Sequence, residues 1–208
     1  MFAPNRRFER ESKILNKLSK SGIEIELIND YSVYENENKF LEGTGSIVLD
    51  RKSKTAYCSI SKRSNLDLFK KFCLDMDYTP VTFNSLYQSK PIYHTNVMMS
   101  ICNNFSVICL DSIHNKQERE NIIEKLNNSD LEIIDISLDQ MTSFLGNCIQ
   151  LINSDSSPIL IMSSRAFNTI SKSQLKKIES YSEIIHSDIK TIENNGGGSA
   201  RCMIAEIF

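Results

Sequence analysis

The stretch Gly45–Ser61, GSIVLDRKSKTAYCSIS, holds an apolar run, a polar turn and a second apolar run. Its core of Ile47, Val48 and Leu49 is separated by Asp50–Lys54 from Ala56, Tyr57 and Cys58. Short β-branched or aromatic runs on either side of a turn-forming cluster read as a β-hairpin. The same arrangement returns twice. Thr95–Ser112 reads TNVMMSICNNFSVICLDS, with its turn at Cys102–Asn104. Gly146–Ser164 reads GNCIQLINSDSSPILIMSS, with its turn at Asn153–Pro158. A helical stretch follows each hairpin: Leu66, Phe69, Phe72 and Cys73 recur at helical spacing in the first, Ile122, Ile123 and Leu126 in the second, Leu175, Ile178 and Tyr181 in the third. A short apolar strand closes each unit, at Pro80–Phe83, Leu131–Ile136 and Glu183–Ile185.

The repeating unit is therefore strand, strand, helix, strand, with Ser46, Asn96 and Asn147 in equivalent places and a period of about 50 residues. A further step of that size reaches Arg201 and Cys202, where SARCMIAEIF is expected to begin another strand. At the other end, Arg6–Ser21 reads as a helix with Ile14, Leu15 and Leu18 on one face, and Ile23–Ile28 as its strand, without a preceding hairpin. A ring of such modules would be open. Open sheet edges are normally covered, so the expected partner is a second copy of the chain or a complementing N-terminal fragment.

If equivalent modules surround an axis, the residues at the starts of their first strands share one mouth. That collects Glu42, His94, Asn96, Asn147 and Cys202, which lie far apart in the chain. Cys202 follows Gly196, Gly197, Gly198, Ser199 and Ala200, a stretch whose backbone can approach a ligand closely, so Gly198 and Ser199 join the candidate binding residues. A thiol becomes a nucleophile beside positive charge or an acid/base, and His94 could supply that. Asn96 is expected on the same strand face as His94. Glu42, in FLEGTGS, suits recognition of a planar cation, because a carboxylate and a guanidinium pair through two bonds.

Composition excludes several classes. The net charge of −2 offers no electrostatic footprint for nucleic acid. No apolar run approaches the roughly 20 residues of a membrane span, and the start MFAPNRRFERESK has no signal-peptide core, so a cytoplasmic location is expected. The six cysteines include no C-x-x-C pair and no His at ligand spacing, which argues against a metal site and a disulfide framework.

FLEGTGS, YHTNVMM and GGGSARCM resemble the amidinotransferase and arginine-deiminase superfamily, the penteins. APNRRFER, FLGNCIQL and TIENNGGGSARCMIAEIF are similar to its branch named for citrulline utilisation, the CtlX-type proteins. The resemblance spans essentially the whole chain. It implies an α/β fold, a pentein α/β-propeller of repeated ββαβ modules, here an incomplete ring of about three and a half modules of five. Residues 1–208 would form a single partial domain lacking its N-terminal module or modules. It implies Cys202 as nucleophile, His94 as general acid/base and Glu42 as the guanidinium-binding carboxylate, with Asn96, Asn147, Gly198 and Ser199 lining the substrate site. Arginine deiminases carry an acidic residue where this chain has Asn96. The implied activity is hydrolysis of an arginine-like guanidine or ureido small molecule, without metal or organic cofactor. Amidino transfer, or a catalytically inactive remnant, are the alternatives.

Overall fold

The computed structural model describes residues 1–11, 13–25 and 28–207. A 3-10 turn at Pro4–Glu9 and helix α1 (Lys13–Lys20) open the chain, and a one-turn helix α2 (Gly43–Ser46) leads into the first repeat. That repeat is β1 (Val48–Asp50), β2 (Thr55–Ser59), α3 (Leu66–Asp75) and β3 (Thr79–Phe83). A small hairpin, β4 (Leu86–Tyr87) and β5 (Lys90–Pro91), precedes the second repeat of β6 (Met99–Ile101), β7 (Phe105–Ile108), α4 (Lys116–Asn128) and β8 (Glu132–Asp135). After α5 (Leu138–Thr142) come β9 (Ile149–Ile152), β10 (Pro158–Ser163), α6 (Ser164–Phe167), α7 (Lys172–Glu179) and β11 (Glu183–Ser187), and then α8 (Lys190–Gly196).

Each repeat makes its own three-stranded sheet with the second strand in the middle. The hairpin pair is antiparallel and the returning strand is parallel, with Val48 opposite Tyr57 and Cys58 beside Thr82 in the first. Helices α3, α4 and α7 are the crossovers that a parallel return requires. The sheets are small and separate, and together they form a mixed α/β fold with no closed sheet.

Local chemistry accounts for the boundaries. Asn65 caps α3 by accepting from the Asp67 and Leu68 amides, and Asn115 caps α4 through the Glu118 amide. Ser171 and Gln174 form a capping box on α7. In the first hairpin, Asp50 Oδ1 takes the amides of Lys52 and Ser53, and in the third Asn153 Oδ1 takes those of Asp155 and Ser157.

The two ends differ from the sequence expectation. Arg6–Ser21 is split, because Arg10 is extended (φ −69°, ψ 113°) between the 3-10 turn and α1. Of the expected strand Ile23–Ile28, residues 26 and 27 lie outside the described residues, and the others join no ladder. Nor does SARCMIAEIF begin a strand: Ala200–Met203 is a 3-10 turn, and Ile204, though extended, pairs with no described strand. Its start is committed elsewhere, with the Arg201 amide on Asn147 O at 3.3 Å and the Arg201 guanidinium folded onto Ile204 O at 3.1 Å.

The main core gathers Tyr57, Phe83, Met98, Phe105, Ile122, Leu126, Ile134, Leu160 and Ile178 from all three repeats. Phe105 is fully buried and stacks on Tyr181 with ring centroids 5.6 Å apart. Phe105→Ala is expected to lower the unfolding free energy by about 3–5 kcal/mol. Phe8→Ala, at a side chain 91% exposed, should change it by less than about 0.5 kcal/mol in the same urea titration.

Candidate active site

The turns that precede the first strand of each repeat converge. Glu42 enters α2, His94 and Asn96 belong to the segment entering β6, Asn147 stands before β9, and Cys202 lies in the turn after α8. Glu42, His94, Asn96 and Cys202 sit at or in helical turns and Asn147 in a bend, rather than at strand starts. His94 and Asn96 therefore do not share a strand face: His94 is extended (φ −136°), and Asn96 sits inside the 3-10 turn Thr95–Val97. The two side chains serve different partners as a result.

His94 Nε2 lies 2.8 Å from Glu42 Oε2. The other Glu42 oxygen accepts the Phe2 amide at 2.7 Å, and the Arg63 guanidinium stands 3.6 Å from Oε2. Burial pushes the Glu42 carboxyl upward, but the His94 bond, the Phe2 amide and the Arg63 charge outweigh it and hold it down at about 2. Close approach of the chains depends on Gly45, since a Cβ there would fall 2.7 Å from His94 Nδ1.

Asn96 turns the other way. Its Nδ2 lies 3.6 Å from Cys202 Sγ, and Asn147 Nδ2 lies 3.3 Å from the same sulfur. Two amide donors thus face the thiol. Asn96 is 3% exposed, and its Oδ1 has no hydrogen-bond partner among the described residues. Gly198 packs against the nucleophile candidate, for a Cβ there would meet Cys202 Cβ and Sγ at 3.0 Å. Ser199 is fully buried, and its hydroxyl is engaged with Glu193 rather than turned toward open space.

Of the six cysteines, Cys202 alone is exposed. Burial pushes the Cys58 thiol up to about 12 and those of Cys73, Cys109 and Cys148 to about 11, and it holds Cys102 well above the usual range. Those five pack the interior, and only one sulfur is both reachable and faced by donors.

Three contributors escaped the sequence reading. Tyr93 lays its ring 4.9 Å from that of His94 and donates its hydroxyl to Gly197 O, tying the His94 segment to the loop before Cys202. Its position directly before His94 was the available signal. Arg63 covers the Tyr93 ring at 4.9 Å besides facing Glu42, and nothing in its local sequence marks it. Phe2 was equally silent.

A cavity of about 320 Å³ opens behind Asn96, bounded by residues of β1, β6 and β9 together with Arg201 and Glu206. Glu42, His94 and Cys202 are not among the residues that line it. Among the described residues no group of three or more His, Cys, Asp or Glu side chains is placed to hold a metal ion.

The chain belongs to the family described as N,N dimethylarginine dimethylhydrolase, eukaryotic, which matches residues 1–208. This places it in the pentein superfamily. None of the curated proteins matches it in sequence. Among solved structures it is similar to ArgZ, an arginine dihydrolase from the ornithine-ammonia cycle in Cyanobacteria, at 15% identity and a TM-score of 0.72, covering 99% of this chain and 30% of that one. The N-terminal domain of an ArgZ variant, covalently bound to a reaction intermediate, gives 16% identity and a TM-score of 0.71 over 97% of this chain and 66% of that one. A C. jejuni agmatine deiminase variant with substrate bound gives 12% identity and a TM-score of 0.52, covering 91% and 60%. The chain thus spans 30% of the ArgZ chain and 66% of that N-terminal domain. No helix among the described residues is long and apolar enough to cross a membrane.

The Glu42 geometry carries a stability prediction. A carboxyl whose folded value lies below its unfolded 4.5 contributes stability that is complete above about pH 4.5 and is lost as pH falls toward 2. Glu42→Gln should therefore destabilise the fold at pH 7 by about 2 kcal/mol. The gap between wild type and variant should narrow steadily from pH 5 to pH 2 in urea titrations, and a constant gap would contradict the assigned pairing.

Proposed function

We propose that this chain carries the reactive centre of a guanidine-modifying hydrolase, with Cys202 as nucleophile, His94 as general acid/base and Glu42 as the carboxylate that holds the substrate. Two observations carry the reading: the Glu42–His94 pair at 2.8 Å, and a single exposed thiol faced by two amide donors, with Tyr93 joining the His94 segment to the loop before that thiol. The family description and the similarity to arginine dihydrolase and agmatine deiminase structures support the substrate class, an arginine-like guanidine.

In the proposed reaction the Cys202 thiolate adds to the guanidinium carbon and forms a carbon–sulfur bond. One carbon–nitrogen bond breaks, and the departing amine or ammonia takes a proton from His94. The remaining S-alkyl thiouronium stays on Cys202. Water, losing a proton to His94, adds to that carbon and expels the thiolate, leaving a ureido product. Glu42 accepts substrate N–H groups throughout, and Asn96, whose Nδ2 faces the sulfur, borders the bound substrate. Asn147 and Gly198 complete the wall around sulfur. The covalent intermediate in the ArgZ structure supports this route. Replacement of the water by an amine would make the same centre an amidinotransferase.

A guanidinium pairing with both Glu42 oxygens would share Oε1 with the Phe2 amide and Oε2 with His94 and Arg63. That engagement favours a second reading, a non-catalytic pentein of the citrulline-utilisation branch, whose modules form an incomplete ring completed by a partner fragment or a second copy in the cytoplasm.

Incubation of the purified chain with arginine, methylated arginines and small guanidines should give an amidino adduct on Cys202 by peptide mass spectrometry, together with release of ammonia or amine. Cys202→Ser should lower turnover by at least about a thousandfold while leaving the fold intact. Adducts confined to other cysteines would end the catalytic reading, and a complete lack of adduct and release would favour the non-catalytic one.

A further inference from the structure

Behind the Gly-rich approach to Cys202 lies a carboxylate that no step of the proposed reaction uses. Glu193, on α8, is 3% exposed. Its Oε1 accepts the Ser199 hydroxyl at 2.7 Å, and its Oε2 has no partner among the described residues. Ser199 is fully buried, and its amide N–H donates to Asn147 Oδ1 at 3.2 Å. That last bond decides which way the Asn147 side-chain amide lies. With Oδ1 accepting an N–H, Nδ2 must occupy the opposite side, where it meets Asn96 O at 2.8 Å and Cys202 Sγ at 3.3 Å. The reversed amide would aim an oxygen at a carbonyl oxygen and a sulfur, and would leave an NH2 group against the Ser199 N–H.

We propose that Glu193 is a positioning residue for the reactive thiol, acting through the Ser199 hydroxyl and amide to hold the Asn147 donor on Cys202. The inference rests on Cys202 being the reactive thiol. The chain of contacts runs from carboxylate to hydroxyl, from the backbone of the same serine to an amide oxygen, and from that amide's nitrogen to sulfur. All of it is buried except the sulfur, so water competes poorly for any link. Ser199 thus contributes as a strut between Glu193 and Asn147, and the position of its N–H depends on where its hydroxyl is held.

The test is the rate at which iodoacetamide alkylates Cys202 in the purified chain at pH 7, followed by intact and peptide mass spectrometry. N–H donors at sulfur favour the reactive thiolate, so Glu193→Ala should slow alkylation about fivefold, the worth of one hydrogen bond. Glu193→Gln keeps an oxygen acceptor for Ser199 and should react within about twofold of wild type. The double variant Glu193→Ala with Asn147→Ala should be no slower than Asn147→Ala alone, because both cut the same line. A generally loosened loop would not give that pattern. A folded Glu193→Ala reacting at the wild-type rate, a Gln variant as slow as the Ala variant, or multiplicative losses in the double variant would each overturn the proposal. If Glu193→Ala does not fold, Ser199→Ala severs the same contact by removing one oxygen, and the same fivefold loss is expected. The reagent requires no guanidine, so absent turnover leaves this test standing, and normal turnover with unchanged alkylation defeats this inference alone.

Discussion

The constraint on which the molecule depends is that the starts of its repeats must be tied to one another by polar groups that water cannot reach. Asn147, 1% exposed, is the densest knot. Its side chain donates to Asn96 O and Cys202 Sγ and accepts from the Ser199 amide, while its own carbonyl accepts the Arg201 amide. Thr95 performs the same service one repeat earlier, its hydroxyl accepting from the Ser59 amide and donating to Ser46 O. A buried polar group without partners is costly, whereas one that is fully bonded fixes a single arrangement. The relative placement of the repeats at this end is therefore set by a few amides and hydroxyls, and apolar packing supplies most of the stability around them.

The reactive groups inherit their positions from those ties. His94 directly precedes Thr95, and Glu42 stands four residues before Ser46, whose hydroxyl takes the Glu42 amide and reaches Arg63 O. Once Thr95 is bound to Ser46 O, the imidazole and the carboxylate have little freedom to separate. Cys202 is held in the same manner, through the bonds of Arg201 and Ser199 to Asn147. The sulfur is not buried like the other five because it lies in a short turn after a Gly-rich loop, outside the sheets that enclose its relatives.

The interior of the fold could be read from the sequence because periodicity reports directly on burial. The three hairpins, crossover helices and returning strands lie close to where alternation and helical spacing place them, though α7 ends at Glu179, before Tyr181, and Pro158 begins β10 rather than closing the turn. The ends resisted the same reasoning. Repeat logic predicted a strand at Ser199, but a strand needs a neighbour as well as a pattern, and the backbone there is bonded to Asn147 instead. Within the site, the order of equivalent positions paired Glu42 with His94 and placed Asn96 and Asn147 on Cys202, although these residues sit at helical turns or, for Asn147, in a bend rather than on strands. Arg63, Phe2 and Glu193 were invisible because their roles depend on contacts between segments with no local signature. Glu193 lies within the motif TIENNGGGSARCM, yet only its burial and its bond to Ser199 separate it from a surface glutamate.

The neutral side chain at position 96 shapes what the proposed centre can accept. A carboxylate there would stand within reach of the Cys202 sulfur, where a second negative charge would oppose thiolate formation while offering a guanidinium two more acceptors. Asn96 reverses both effects. It presents an N–H to sulfur at 3.6 Å and adds no negative charge there. Charge recognition then falls on Glu42, whose carboxyl is already held ionised by His94, Arg63 and the Phe2 amide. In the proposed centre a substrate would have to match that single carboxylate, a pattern that tolerates a substituted or uncharged terminal nitrogen better than two carboxylates would. Selection at this end of the proposed centre would then rest on shape and hydrogen-bond count more than on net charge.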